Sequence, residues 1–554
     1  MKLLHFELIG QYKGLANQRF DFSDAPGKVI ALIGLNGSGK SQLMELIAEA
    51  FAYLERRKRA DFRVRKNLKY QFNLTYEWSD KDREPLKRYT AQLEADQSIL
   101  VSRSTYTPAA GADENNQWSP KEDCLLADLP LPRLIGYASG LNENLQRSFM
   151  RNALQYFEVM RTRSRRRIEL AQPTIDADHL EQINHKYRKR FPGIFGAPSA
   201  NDIDDPLRTR EADTLLPNSL FLDYDCTNLV VAALGLLSNA ERDELWPEIR
   251  LRHPSKVVLQ YDLRRAPVEQ DSIEDIKQLV RAVGEDNIRG LSPRTTDEQY
   301  DLYELNYLRA EITIDFMDPN IAEQLRETYL DPVRLFWKLY KLQLLGVGKW
   351  SHEICRALRD DSLNGHVKKP LKGKLPLSVV ELELSDGEHS APIDDLSDGE
   401  AQLLHTIGAV RLFGDVESLF IFDEPETHLN PSWRTRYHLY FEKAGQDLVS
   451  SQALISSHSP FLISSLHREA VYHFERINGQ SNMASPPSET FGASFEVLIK
   501  KFFGLRSAIS QTAVYEILSH LNDVHMDNAH KRQWIEEQLG ESMERAYLLK
   551  RLEN

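Results

Sequence analysis

Residues 28–54 read KVIALIGLNGSGKSQLMELIAEAFAYL. Lys28 to Ile33 is a short apolar run suited to a buried strand. Ser41 to Leu54 carries apolar residues at three- and four-residue spacing, which predicts an amphipathic helix. Between them, Gly34 to Ser41 (GLNGSGKS) fits GxxxxGK[ST] in the strand–loop–helix setting that pattern needs. Its glycines permit torsions that wrap a phosphate. The loop N–H groups and the helix N-terminus supply positive partial charge. Gly34, Asn36, Gly37, Ser38, Gly39, Lys40 and Ser41 form the expected ATP-binding set. Lys40 would reach the β- and γ-phosphates, and Ser41 would ligate Mg²⁺.

Further along, Ser418 to Glu426 reads SLFIFDEPE. Four apolar residues deliver two acids to the C-terminal edge of a parallel sheet. Asp423 would hold Mg²⁺ through water, and Glu424 would polarise the water that attacks the γ-phosphate. Leu396 to Glu400 reads LSDGE and precedes a helical stretch. Read alone it is an N-capped helix start. Its position upstream of the acidic strand makes it a second helix N-terminus able to present Ser397, Gly399 and backbone N–H groups to a phosphate. His458, in LISSHSP, lies just past a further strand.

These motifs, in this order, resemble the ABC-type ATPase heads of the SMC, RecF and OLD families. LSDGE departs from the usual LSGGQ signature in the manner of SMC-like ATPases. DEPETHLNP (Asp423 to Pro431) followed by SSHSP is similar to the OLD-like branch. The resemblance implies that Glu424 and His458 are catalytic, with His458 as the switch histidine on the γ-phosphate. It also implies a D-loop at His428 to Asn430 and a Q-loop within Ile135 to Gln146. Ser139, Asn142 and Gln146 are the Q-loop candidates, with no choice among them. Many OLD proteins continue into a Toprim nuclease. The stretch after His458 holds no DxD pair, so nuclease activity in this chain is not expected. His520, His525 and His530 scatter around a helix and read as surface residues.

Lacking that nuclease, the chain looks like the PtuA ATPases of Septu antiphage systems, which also occur beside retron reverse transcriptases. That family pairs with PtuB, an HNH nuclease on a separate chain. The resemblance implies a homodimer with ATP sandwiched between two heads, because LSDGE cannot reach its own GLNGSGKS. It also implies an ATPase that senses nucleic acid and controls the nuclease, alone or with a reverse transcriptase and its RNA–DNA. The alternative is a RecF-like repair or recombination ATPase, told apart by its partner. An ABC transporter subunit fits the motifs but not the large insertion between Q-loop and signature.

The organisation matches a split head. The expected fold class is α/β: an ABC-type ATPase head, a mixed sheet with a parallel core. It divides into an N-terminal half (1–145), a mostly helical insertion (146–376) with one strand at Lys256 to Leu263, a C-terminal half (377–506) opening on a strand at Leu377 to Leu384, and a helical tail (507–554). The 554 residues are 41% hydrophobic and 27% charged, which excludes wholesale disorder and a disulfide-stapled miniprotein. The longest apolar run, Leu229 to Leu237, is far short of the roughly 20 residues a membrane helix needs, so no membrane partner is expected. Three cysteines without CxxC spacing point to a reducing, cytoplasmic setting.

The net charge is −13, yet Leu54 to Tyr70 holds eight Lys/Arg against two acids, and Arg151 to Arg167 six against one. Arg56, Arg57, Lys58, Arg59, Arg163, Arg165 and Arg166 are therefore candidate nucleic-acid contacts. Ordinary solvated helix faces are the competing reading.

Overall fold

The computed structural model describes residues 1–25, 28–79, 85–107, 117–139, 144–171, 176–196, 210–211, 215–265, 267, 270–290, 308–360, 371–445, 451–505, 509–523 and 525–553. Strand Val29–Gly34 is buried along its whole length, as is Ser418–Asp423. Continuous apolar runs of this kind form where both sheet faces are covered. They lie in a seven-stranded sheet with the order Ser219–Leu222, Arg133–Ala138, Ser418–Asp423, Gln452–Ser457, Val29–Gly34, Val471–Ile477, Gln480–Ala484. The first six run parallel, and only the last pair is antiparallel. Asp423 pairs with Ser456, and Ser457 with Ile33. Three strands thus end level at one edge.

A second sheet is antiparallel and built from the N-terminal strands Lys2–Tyr12, Leu15–Asp21, Gln71–Trp78, Lys87–Leu93 and Ile99–Thr107, with two short strands beside the last. Helix Lys40–Lys58 contacts Lys2–Tyr12 of this sheet and Val29–Gly34, Ser418–Asp423 and Gln452–Ser457 of the core sheet. Packed by both, it buries fifteen of its nineteen residues, charged ones included. Those charges must then be paired inside the protein.

Two expectations change. Among its described residues the stretch 146–376 is mostly helical, but it holds more strands than the single one expected. Strand Ser219–Leu222 joins the edge of the parallel sheet beside Arg133–Ala138. Strands His253–Asp262, Ile288–Gly290 and Arg309–Asp315 belong to a five-stranded antiparallel sheet. The second change concerns Leu377–Ser385, which pairs antiparallel with His253–Asp262 and so completes that sheet instead of opening the parallel core. An alternating strand carries no record of its partner, so local pattern could not place it.

The tail is helical, in three helices: Gln511–Asn522, Asn528–Gln538 and Met543–Glu553. They gather around a small core of their own, Ile517, Ile535 and Leu548. Among the described residues, no helix is long and apolar enough to cross a membrane.

Gly193 holds the loop after helix Lys40–Lys58 against the 191–196 turn. A Cβ there would collide with the carbonyl of Ala60, which is backbone and cannot rotate away. Gly193→Ala is expected to cost about 1–3 kcal/mol of stability, as overpacking does. Chemical denaturation of the two proteins checks it.

Candidate active site

The level edge of the parallel sheet brings the predicted residues together. The loop Gly34–Gly39 turns from Val29–Gly34 into the helix that starts at Lys40. Gly34 has φ +138°, and a Cβ on it would strike the carbonyl of Phe474. Only glycine fits. At the helix start, Gly39 takes φ +113°, leaving the first-turn N–H groups free of a side-chain cap. The tip, Leu35 to Gly37, is exposed, and Asn36 stands on it. Ser38 Oγ is buried and has no hydrogen-bond partner. An orphaned buried hydroxyl in a glycine cradle fits an anionic oxygen arriving from outside.

Lys40 Nζ donates to Gly34 O at 2.9 Å and Leu35 O at 3.2 Å, and stands 3.1 Å from His458 Nε2. These contacts occupy all three of its donors. Burial pulls the Lys40 ammonium down to about 8, against the opposing pull of Asp423 and Glu424. Burial and the Lys40 charge push His458 down to about 4. His458 is therefore neutral near pH 7, and its Nε2 accepts from Lys40. The two residues hold each other where a phosphate would come between them.

Ser41 Oγ donates to Asp423 Oδ1 at 3.1 Å, and Ser456 Oγ donates to the same oxygen. A serine hydroxyl and a buried carboxylate side by side are the hard oxygen donors that suit Mg²⁺. Glu424 sits next, with φ +52°. A non-glycine residue in this region carries local strain, which persists where surrounding bonds enforce it. Its N–H donates to Ser456 O at 3.1 Å. Its Oε1 lies 3.4 Å from His458 Nε2, and its side chain is 39% exposed. It can reach solvent water, as a general base must.

The signature lies elsewhere in the single chain. Ser397 caps helix Asp398–Phe413, and its side chain closes a capping box with Glu400. That box explains the glutamate in LSDGE: the N3 position favours Glu or Gln. Gly399 lets the helix approach the 424–429 turn, since a Cβ would meet His428 O at 2.9 Å. Gln402 on the same helix accepts from His428 N at 2.9 Å and donates to Tyr137 OH at 3.0 Å. The signature helix and the D-loop segment therefore form one packed unit.

Of the Q-loop candidates, Ser139 stands closest to the acids, its N–H donating to Asp423 O at 2.9 Å. Gln146 is only 2% exposed at the start of helix Gln146–Leu170, turned into the protein. Asn142 lies outside the described residues.

The basic candidates separate. Arg56 is buried on Glu49 and Asn152. Arg59 is engaged with Asp61, Glu55 and the Phe62 ring. Arg163 and Arg166 are buried, Arg166 against Asn184 and Phe195. These four brace the interior and are withdrawn as polyanion contacts. Arg57, Lys58 and Arg165 remain exposed.

Two participants went unread in the sequence. The Phe503 ring lies 6.0 Å from that of His458. Glu426 is 3% exposed, accepts from Ser457 Oγ, and leaves Oε2 without a partner. Ser457 Oγ in turn accepts from Ser459 N at 2.9 Å, so Glu426 steadies the loop that presents His458. Burial pushes the Glu426 carboxyl up to about 7, opposed by Ser457 and reinforced by Glu424. The second glutamate of DEPE was its one visible signal.

Two pH dependences follow from these shifts. A phosphate selects the protonated Lys40, so ATP affinity should fall as pH rises through about 8. The decline should approach tenfold per pH unit, checked by calorimetric titration across that range. Glu426 binds its proton more tightly folded than unfolded, so it lowers stability as pH rises from the ordinary carboxyl range through about 7. Glu426→Gln should remove that loss, worth on the order of 3 kcal/mol at pH 8, with little change at pH 4. Denaturant melts at the two pH values check it.

Residues 233–464 match the family model described as "AAA domain, putative AbiEii toxin, Type IV TA system". The match takes in Ser397, Gly399, Asp423, Glu424 and His458, with the phosphate loop N-terminal to it. Protein ea59 of Escherichia phage lambda is 29% identical over 131 residues, 23% of this chain. The chain spans only 24% of that relative's length. Among solved structures, the SMC head domain from Thermotoga maritima aligns with 88% of this chain and 100% of that chain, at 10% identity and a TM-score of 0.29. Residues 233–464 are thus similar to an AAA domain, and the sheet edge brings a phosphate loop, an acid pair and a histidine together.

Proposed function

We propose that this chain binds ATP with Mg²⁺ and hydrolyses it, and that two copies sandwich the nucleotide between them. The observation that carries the reading is the convergence of Lys40, Ser41, Asp423, Glu424 and His458 on one sheet edge. Lys40 exchanges its carbonyl and histidine partners for phosphate oxygens. Ser41 and Asp423 hold the metal ion, which neutralises phosphate charge when bound. Glu424 orients a water and takes its proton, and neutral His458, in the tautomer protonated at Nε2, donates to a γ-phosphate oxygen. Ser397 and Gly399, whose helix start is spent within its own first turn, face the nucleotide of the second copy.

In the same reading the ATPase serves antiphage defence. It senses nucleic acid and controls a separate HNH nuclease of the PtuB kind, in a stand-alone system or beside a reverse transcriptase. The wording DEPETHLNP with SSHSP supports this, as does the toxin–antitoxin description of the matching family.

Glu424→Gln keeps the shape and removes the base. It should bind ATP, run as a dimer in gel filtration with light scattering, and hydrolyse at least about a hundredfold more slowly. Unchanged turnover would sink the assignment of Glu424. A strictly monomeric variant with ATP would sink the sandwich. Co-purification with an HNH nuclease encoded beside the chain tests the partner separately.

A further inference from the structure

At the far end of helix Lys40–Lys58 from the phosphate loop lies a cleft. It is bounded by that helix, by helix Gln146–Leu170, by helix His352–Arg359 and by the loop carrying Arg63 to Lys66. Six cations line it: Arg63, Arg65, Lys66, Arg151 and Arg359, with buried Arg56 behind them adding charge but no contact to a ligand. Among the described residues, two carboxylates answer them. Glu49 receives Arg56 at 2.5 Å and Arg151 at 2.9 Å. Glu158 receives Arg359 at 2.6 Å and Arg65 at 3.1 Å. Arg63 and Lys66 meet carbonyl oxygens, those of Arg190 and Asp360. The cleft therefore holds roughly four positive charges more than its carboxylates neutralise, a local excess within a net acidic chain.

We infer that this cleft is a phosphate-binding site for a nucleic-acid strand. Like charges gathered from several elements repel one another, and an anion between them relieves that repulsion. Arg63 is stacked on the Phe191 ring, with its guanidinium 4.6 Å from the ring centre. Arg65 and Arg359 are fixed by sharing Glu158. Guanidiniums held in place present planar forks to phosphate oxygens with little ordering left to lose. Burial, with Arg165 next in effect, pulls Arg161 below its ordinary value beside Glu158 and Arg359, in keeping with a positive local potential.

Size and surroundings favour a strand over a free nucleotide. The cavity is about 40 Å³, room for one or two waters and none for a base or sugar. Outside it, exposed Lys69 continues the positive row along the same loop. A backbone can set one phosphate in the cleft and neighbours on the row, with bases facing away. Recognition is then independent of sequence. The site also has a mechanical link to the ATPase. Arg56 stands sixteen residues after Lys40 on one buried helix, about 24 Å along its axis.

The inference takes its ligand class from the nucleic-acid sensing proposed above, and its test contains no ATP, so failure here leaves the hydrolysis reading standing. Labelled duplex and single strands are titrated by anisotropy into the nucleotide-free full chain at several salt concentrations. Arg63→Gln with Lys66→Gln is the first variant, because neither residue holds a carboxylate. The salt slope should fall by roughly 0.9 for each duplex phosphate that is no longer neutralised, and low-salt affinity by at least about tenfold. If thermal melting shows the double variant unfolded, Arg65→Gln replaces it, with the slope expected to fall by the value for a single phosphate. Lys40→Ala should bind strands like the parent. Inorganic pyrophosphate should compete with the strands for the parent. Parent and variant binding strands alike, or pyrophosphate binding the cleft while no strand does, overturns the inference.

Discussion

Strand Gln452–Ser457 pairs in parallel with Ser418–Asp423 on one side and Val29–Gly34 on the other. That shared register is the constraint on which the site depends. It ends three strands level, so a phosphate loop, an acid pair and a histidine spread over more than four hundred residues of chain meet within hydrogen-bonding distance. A one-residue slip would turn every side chain of the strand to the opposite face. It would also carry Asp423 away from Ser41. Ser456 anchors the register chemically as well: its hydroxyl bonds Asp423, and its carbonyl takes the N–H of strained Glu424.

Helix Lys40–Lys58 is the second constraint, because it is enclosed by two sheets yet rich in charge. Its acids are matched one by one: Glu45 with Lys13, Glu49 with Arg56 and Arg151, Glu55 with Asn152 and Arg59. Removing a single partner would leave a buried charge, which costs far more than the pair contributes. The arginines at the helix end thus serve the interior first. What faces solvent is the excess that the carboxylates do not reach.

Around the nucleotide edge the protein holds several groups away from their relaxed states. Glu424 is in a left-handed conformation, Ser38 Oγ and Glu426 Oε2 lack partners, and Lys40 and His458 are both pulled toward neutrality. The buried groups share one cause, desolvation beside the phosphate cradle, and Glu424 is held by the bonds of its neighbour Ser456. Such groups are disposed to gain from a charged ligand what the protein alone does not supply.

Much of the site was legible because its chemistry is local. GLNGSGKS needs glycines where φ is positive and a lysine at the helix start, and SLFIFDE needs a buried strand that stops at its acids. These are properties of consecutive residues, and the sequence by itself determined them, along with the capped start of the signature helix and the helical tail. Only the tertiary structure decided which strands are neighbours. It assigned Leu377–Ser385 to the antiparallel sheet and Ser219–Leu222 to the parallel one. It also turned Arg56, Arg163 and Arg166 inward and set Arg63, Arg65, Lys66 and Arg359 around one cleft. Alternation and charge are written along the chain, but the partner of a strand and the burial of an arginine depend on segments far away in sequence.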